Sequence, residues 1–579
     1  MLKTARVTVL AAALLISSCD GADNHSPAET ADLVLTGGRI YTEDARNPWA
    51  QAVAIKGKRF VYVGDDQGAE QHVGQTTERI DLGGRLVLPG LIDGHTHPGM
   101  MGIERYGPSL PESGHEDLLA AVKAYADSAP DEKWIRMCCW SEFQYVHGLD
   151  GPHKRDLDAI VPDRPVWITS SSFHSYWLNS KALEALGVDK NTPDPRPGIA
   201  TYARDQNGDL TGWLTEGAGF QHFSRVFTID PALHRERVIA FLNILSEHGV
   251  TTLYDGGNLD YEDEVYGLLS ELEKSGDLPL RVEGTYMIYV PQRRHFAIQE
   301  MRRLRSTYGG ERLRFGTIKL MMDGINSDRT AGMLKPYADA PSYVGNTMLT
   351  EDELRDFLLE LNKEKFDLHV HAIGDLATRT VLDAVDGARA MVNGDFYPRV
   401  TITHLELVDP ADWPRFAKLG VTANFTPWWH GVSAEDPSSA TLGEDRVTRT
   451  YIARPLFDSG ANVTFASDDW TPDVLSPFLG MEVGHNRQSP SEWERGSDAS
   501  AFRPPASEKL DLELMLKGYT INGAYQLRME NQIGSIEIGK LADLVVLKEN
   551  LFEMDRTKIH AIKPISVMME GKFIVRRTD

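Results

Sequence analysis

Leu88-Pro89-Gly90-Leu91-Ile92-Asp93-Gly94-His95-Thr96-His97 is an apolar run that ends in two histidines one residue apart. Successive side chains of a strand face opposite ways, so His95 and His97 share a face and their imidazoles can converge on one metal ion. An isolated pair of this kind also arises where a strand simply ends near a Pro-Gly turn. The rest of the chain decides between the two readings.

Further strand-like runs follow at residues 251–255, 281–286, 317–323, 367–371, 400–404, 421–425 and 462–468, which makes eight with the first. Helix-like segments such as residues 231–248 and 351–363 fill the spaces between them. Strands alternating with helices predict an α/β fold, here a (β/α)8 TIM-like barrel. The stretch at about residues 99–249 is too long for one connection. It predicts a large insertion after strand 1, with strands of its own such as residues 165–172, shaping a pocket or lid. Short strands with glycine turns precede the barrel at residues 33–35, 52–55, 60–63 and 79–81, and others follow it at 533–547, 565–568 and 572–575. They predict a small β-sandwich domain formed by both chain ends, residues 31–87 and 529–579, around a barrel of residues 88–528.

Several strands end in a side chain able to hold a metal: His95 and His97 on the first, Lys319 on the fourth, His371 on the fifth, His404 on the sixth and Asp468 on the eighth. Active sites of such barrels form at the C-terminal strand ends. Each residue alone has an ordinary explanation, a hydrogen-bonded histidine or a helix-capping aspartate. Their joint placement is hard to produce by chance.

The motifs Gly90-Leu91-Ile92-Asp93-Gly94-His95-Thr96-His97, Gly249-Val250-Thr251-Thr252-Leu253-Tyr254-Asp255, Lys319 with Asp323-Gly324, His371-Ala372-Ile373-Gly374-Asp375, His404 and Ser467-Asp468 then gain a common meaning. From about residue 31 to its C-terminus the chain resembles the amidohydrolase superfamily, and within it the branch called amidohydrolase family 3. In the insertion, His174-Ser175-Tyr176-Trp177 and Gly212-Trp213-Leu214-Thr215-Glu216 resemble that branch too. The resemblance implies a divalent metal held by His95, His97, Lys319, His371, His404 and Asp468. Zn2+ is the usual ion, while Fe or Mn fit the same donors. In two-metal members a lysine at the place of Lys319 carries CO2 as a carbamate, so two ions follow if Lys319 is carbamylated. The alternative is an ion pair between Lys319 and a carboxylate such as Asp323. The family motif aligns His371 with the ligand, which leaves His369 as a packed or supporting residue. Asp469 should point away from Asp468 as a structural or helix-starting carboxylate.

The activity implied is that of a metal-dependent hydrolase. A bound metal lowers the pKa of its water from about 15.7 toward about 7 and polarises a carbonyl. Asp468, the catalytic residue, would accept the water's proton and pass it to the leaving group. The bond cleaved is a C–N bond of an amide, cyclic amide or N-acyl group in a small molecule. A deaminase or esterase of the same superfamily is the alternative. A non-catalytic binding protein would be expected to have lost ligands, and none of the six is lost. His174, Trp213, Glu216, Asp323 and Trp470 are candidate substrate contacts. After the seventh strand the branch commonly has serine and glutamine before a proline. Here the chain reads Ala423-Asn424-Phe425-Thr426-Pro427-Trp428-Trp429-His430, a bulkier wall that hints at an apolar or aromatic substrate.

Composition agrees with a globular enzyme: 41% hydrophobic, 9% aromatic and 25% charged residues. With 60 Lys+Arg against 84 Asp+Glu, a formal net charge of -24, a nucleic-acid partner is excluded as the ordinary one. Lys3 and Arg6 precede the apolar run 7–16, too short to span a membrane as a helix but right for a secretory signal peptide, residues 1–18. The run ends in Leu15-Ile16-Ser17-Ser18-Cys19, which resembles a bacterial lipobox, so Cys19 would carry lipid. Asp20 resembles the signal that keeps some such lipoproteins in the inner membrane, a rule that varies between bacteria. Residues 19–30 read as a disordered tether. The chain is thus expected to be exported, facing the periplasm or cell exterior, touching membrane only through its anchor. A homodimer stays open, since dimers are common among such relatives. Cys138 and Cys139 are expected to stay unbridged in a buried strand, because adjacent cysteines rarely pair.

Overall fold

The computed structural model describes residues 29–103, 107–111, 114–142, 151–431, 438–469, 471–490 and 502–577. The signal peptide, Cys19 and Trp470 lie outside them.

Eight parallel strands form the centre: β1 (Leu91–Thr96), β2 (Val250–Asp255), β3 (Arg281–Glu283), β4 (Thr317–Met321), β5 (Asp367–Ala372), β6 (Val400–His404), β7 (Thr422–Phe425) and β8 (Val463–Phe465). One sheet runs β1, β2, β3 and then Leu313–Arg314; a second runs from Met287–Ile288 through β4 to β8 in sequence order. All pairings in both are parallel. Past β8, Asp468 donates its amide to the His95 carbonyl at 2.9 Å, and the Ser467 amide and hydroxyl reach the Asp93 carboxylate. The last strand's end is thereby tied to the first's in a TIM-barrel-like arrangement. Every residue of β1, β2, β5 and β6 is buried, as expected where helices cover parallel strands.

The opening run differs from its reading as one strand. Leu86–Pro89 pairs antiparallel with Leu544–Leu547 in a sheet built from both chain ends, whereas β1 starts at Leu91. Pro89 has no amide to donate and so suits a strand's end. Gly90 makes the crossing, since a Cβ there would lie 2.5 Å from Thr251 Oγ1 and 2.9 Å from Asp543 Cβ. That sheet and a second one, with Leu33–Thr36 paired to Ala52–Lys56 and Glu78–Asp81, enclose a core containing Leu35, Ile40, Val53, Phe60, Leu544 and Met568.

A buried ion cluster joins the C-terminal segment to the central strands. Arg281 of β3 binds Asp543 with both guanidinium nitrogens and Glu570 with one, and the three side chains are 2%, 2% and 7% exposed. Arg281→Met takes the cation from the buried Asp543 carboxylate, while Glu570 keeps Arg312 and Lys58, and should cost about 3–5 kcal/mol. Denaturant or thermal unfolding checks this, and a loss under about 1 kcal/mol would show the carboxylate rehydrates freely.

Between β1 and β2 the insertion forms its own five-stranded sheet, ordered Tyr202–Arg204, Leu210–Thr215, Ser175–Leu178, Val166–Ser170 and Ile135–Trp140. It packs on a separate core that includes Leu118, Val122, Met137, Trp140 and Ile168. Here one expectation fails: Cys138 and Cys139 are joined in a disulfide. The strand is buried as read, but its register with Val166–Ser170 shifts so that Cys139 is bulged out, with φ 76°. The bulge turns two side chains that would otherwise face opposite ways toward each other.

Candidate metal centre

At the C-terminal strand ends the chain leaves regular geometry. His404 has φ 78°, Leu405 φ 49° and Asp468 φ 46°. Such left-handed conformations in non-glycine residues persist only where surrounding contacts over-determine them, and they cluster at functional sites. Here they aim two side chains inward. Asp468 Oδ1 lies 3.2 Å from His95 Nε2 and 3.4 Å from His97 Nε2, and its Oδ2 lies 3.3 Å from His404 Nδ1. Candidate ligand atoms of His95, His404 and Asp468 all fall within 4.8 Å of one another. Lys319 Nζ stands 3.1 Å from His95 Nε2, and the His371 ring packs 4.5 Å from that of His404. All six residues border one cavity of about 370 Å3.

Electrostatics favour ligand-ready forms. Burial pushes His95 down to about 3, with the charge of Lys319 adding to it, and holds His371 and His404 well below the usual imidazole range. Burial alone would raise Asp468, but the imidazoles of His95 and His404 keep its carboxyl well below the ordinary value. An ionised carboxylate ringed by imidazoles is a donor set that a divalent metal takes, each imidazole ligating in its neutral form. Lys319 is pushed down to about 7 by burial, against the pull of Asp468 and Asp255.

The donor set fits a metal on a further observation. His404 Nδ1 is buried with no hydrogen bond although Asp468 Oδ2 is only 3.3 Å away. The contact has ion-pair distance but lacks hydrogen-bond alignment, so the two atoms aim past each other rather than at each other. A shared cation would satisfy both.

His369 lies behind the site. Its Nε2 is 2.8 Å from His95 Nδ1, and its ring stacks 4.3 Å from Tyr254. If His95 donates from Nδ1, its Nε2 lone pair is left facing Asp468 and the cavity, the usual way a ligand imidazole is oriented.

The remaining candidates divide. His174 borders the cavity, its ring 5.5 Å from that of His371. Glu216 does not border it but accepts from His174 Nδ1 at 2.6 Å. Trp213 stands off the cavity, donating from Nε1 to Ser175. Asp323 also stays out: its carboxylate accepts backbone amides of Gly332, Ile373 and Gly374 at 2.9–3.0 Å, pegging two loops together, and burial pushes it up to about 8. No ion pair joins it to Lys319 among the described residues. Asp469, expected to point away, does border the cavity, since regular strand alternation already ends at Phe465, but its Oδ1 accepts the Thr471 amide at 2.6 Å just before the short helix Pro472–Val474, the helix-starting role expected of it.

Sequence reasoning missed most of the apolar wall. Phe220 and Phe223 come from the helix Gly217–Val226, Tyr176 from the insertion sheet, and Met287 and Met321 from near β3 and β4. The i, i+3 spacing of the two phenylalanines was the available signal. Trp428 and Trp429 do border the cavity, and Trp429 stacks 5.6 Å from His404.

Comparison with known proteins adds the following. A family model described as "Amidohydrolase family" matches residues 78–575. The protein LONG AFTER FAR-RED 3 of Arabidopsis thaliana is 28% identical over 533 residues, covering 90% of this chain and 88% of that protein. An N-substituted formamide deformylase of Arthrobacter pascens is 23% identical over 570 residues, covering 94% and 99%. Among solved structures, an uncharacterized metal-dependent hydrolase from Pyrococcus horikoshii OT3 shares the fold with a TM-score of 0.66 at 23% identity, covering 90% and 99%.

Proposed function

The chain belongs to the amidohydrolase family, and we propose that it is a metal-dependent hydrolase that cleaves the C–N bond of a small, largely apolar amide or N-acyl compound. On this reading the two parallel sheets close as one (β/α)8 barrel. His95, His97, His371, His404 and Asp468 would hold the metal, and Lys319, as a carbamate, would supply an anionic ligand for a second ion. Zn2+ suits these donors best, and Fe or Mn would be accepted.

The observation that carries the reading is the Asp468 carboxylate set 3.2–3.4 Å from ring nitrogens of His95, His97 and His404 where they border a largely apolar cavity. Bound metal supplies Lewis acidity and an acidified water there. Asp468 takes the proton of the attacking water on a carboxylate oxygen and returns it to the leaving nitrogen. The aromatic wall holds the apolar part of the substrate and keeps other water out. The N-substituted formamide deformylase among the relatives supports cleavage of an amide that carries a substituent on nitrogen.

Elemental analysis of the purified chain, with His95→Ala as control, should find stoichiometric metal lost in the variant. Assays on N-substituted formamides and N-acyl arylamines should release amine and carboxylate. Ammonia release from amino heterocycles instead would favour a deaminase. Absence of stoichiometric metal in the native protein would sink the hydrolase reading.

A further inference from the structure

The cavity wall contributed by the insertion is nearly exhausted of free polar atoms. Among its bordering residues, the Ser171 and Ser172 hydroxyls donate to the buried Glu142 carboxylate, and the Tyr176 hydroxyl donates to the Phe173 carbonyl. Phe220 and Phe223 offer only rings. His174 is the exception: Nδ1 is bonded to Glu216, while Nε2 has no partner among the described residues.

Several features hold that ring in place. Glu216 is only 2% exposed, and its carboxylate accepts from His174 Nδ1 through one oxygen and from the Thr330 hydroxyl at 2.9 Å through the other. The Glu216 amide donates to the His174 carbonyl at 2.7 Å, so backbone and side chain lock the same two residues together. Both ends of the lock are strained: Glu216 sits at φ 50° and Phe173, which precedes His174, at φ 65°. A bulky aromatic in this region is an outlier, and such strain survives where it serves a site. Packing alone would be met without leaving one ring nitrogen at the cavity.

We propose that His174, through Nε2, is the hydrogen-bond partner of the scissile amide group, and that Glu216 acts as its positioning residue. The insertion would thus supply the polar anchor that selects an amide from other apolar molecules that fit the same wall. This rests on the metal-dependent hydrolase reading, since the anchor is useful only opposite a metal centre.

The test uses the metal-loaded full chain and two probes with the same phenyl group. Benzohydroxamic acid carries an amide-like N–H and oxygen, and phenylmethanethiol ligates through sulfur and offers neither. Titration calorimetry should show His174→Phe weakening the hydroxamate about tenfold while the thiol changes less than about twofold. Glu216→Gln should weaken only the hydroxamate, and by less. Metal content and melting temperature are measured for each variant. Equal weakening of both probes, or an unchanged hydroxamate, overturns the inference and leaves the metal centre standing. If neither probe binds the native protein, the metal centre fails and the anchor with it.

Discussion

Asp468→Asn should lower kcat/KM of the metal-loaded enzyme by about 10^2- to 10^4-fold, the range for losing a positioned acid–base group. The substitution isolates chemistry from folding. Asparagine tolerates the left-handed backbone conformation that Asp468 adopts at φ 46°, so the turn after β8 should survive. The Asp468 amide's bond to the His95 carbonyl is made by the backbone and is untouched. What disappears is the anion that faces His95, His97 and His404. Metal content, measured alongside rate, separates weakened ligation from the lost proton acceptor. A variant that keeps its metal and stays within tenfold of native activity would remove Asp468 from the proton path and point to another base.

That this residue stands out in the sequence follows from its place after an apolar run in barrel order. The runs of β1, β5 and β6 and the one before Asp468 place candidate ligands at strand ends, but left-handed backbone at His404 and Asp468, not alternation, aims those two inward. The six residues singled out by their strand-end places and, for His371 over His369, by the family resemblance do border one cavity. What sequence could not show depends on contacts between distant segments. Pro89-Gly90 splits the opening run between two sheets because Thr251 and Asp543 crowd the glycine. The bulge that brings Cys138 and Cys139 together arises from the register with Val166–Ser170, not from either cysteine. Asp323 resembles a site residue in its motif, yet its role as a peg is set by amides some fifty residues away at Ile373 and Gly374. The apolar wall is assembled from the insertion and the barrel, so no single window carries it.

Lys319 gives the other large effect. Its side chain is 1% exposed on β4, and no carboxylate lies within ion-pair distance among the described residues; its contacts are the two nitrogens of His95, at 3.1 and 3.4 Å. A buried ammonium with no partner is costly, and burial answers by lowering its pKa to about 7, which leaves much of the amine neutral in ordinary buffer. A neutral amine can add to the carbon of CO2 and release a proton, turning an uncharged side chain into a carbamate anion that could ligate metal. In protein loaded with metal and 13C-bicarbonate, we therefore expect one carbamate resonance that is absent from Lys319→Ala. The same variant should bind one ion where the native protein binds a pair, and kcat/KM should fall by about 10^2-fold or more. Added acetate should restore part of both, since a small carboxylate fits the space the side chain vacates. The combination matters more than any single reading. Loss of activity alone would follow from any disturbance of His95, whereas rescue by a carboxylate that cannot repair packing requires an anion at this position. If the native protein shows no carbamate and holds a single ion, Lys319 is a neutral donor beside His95, and catalysis must rest on one metal with Asp468.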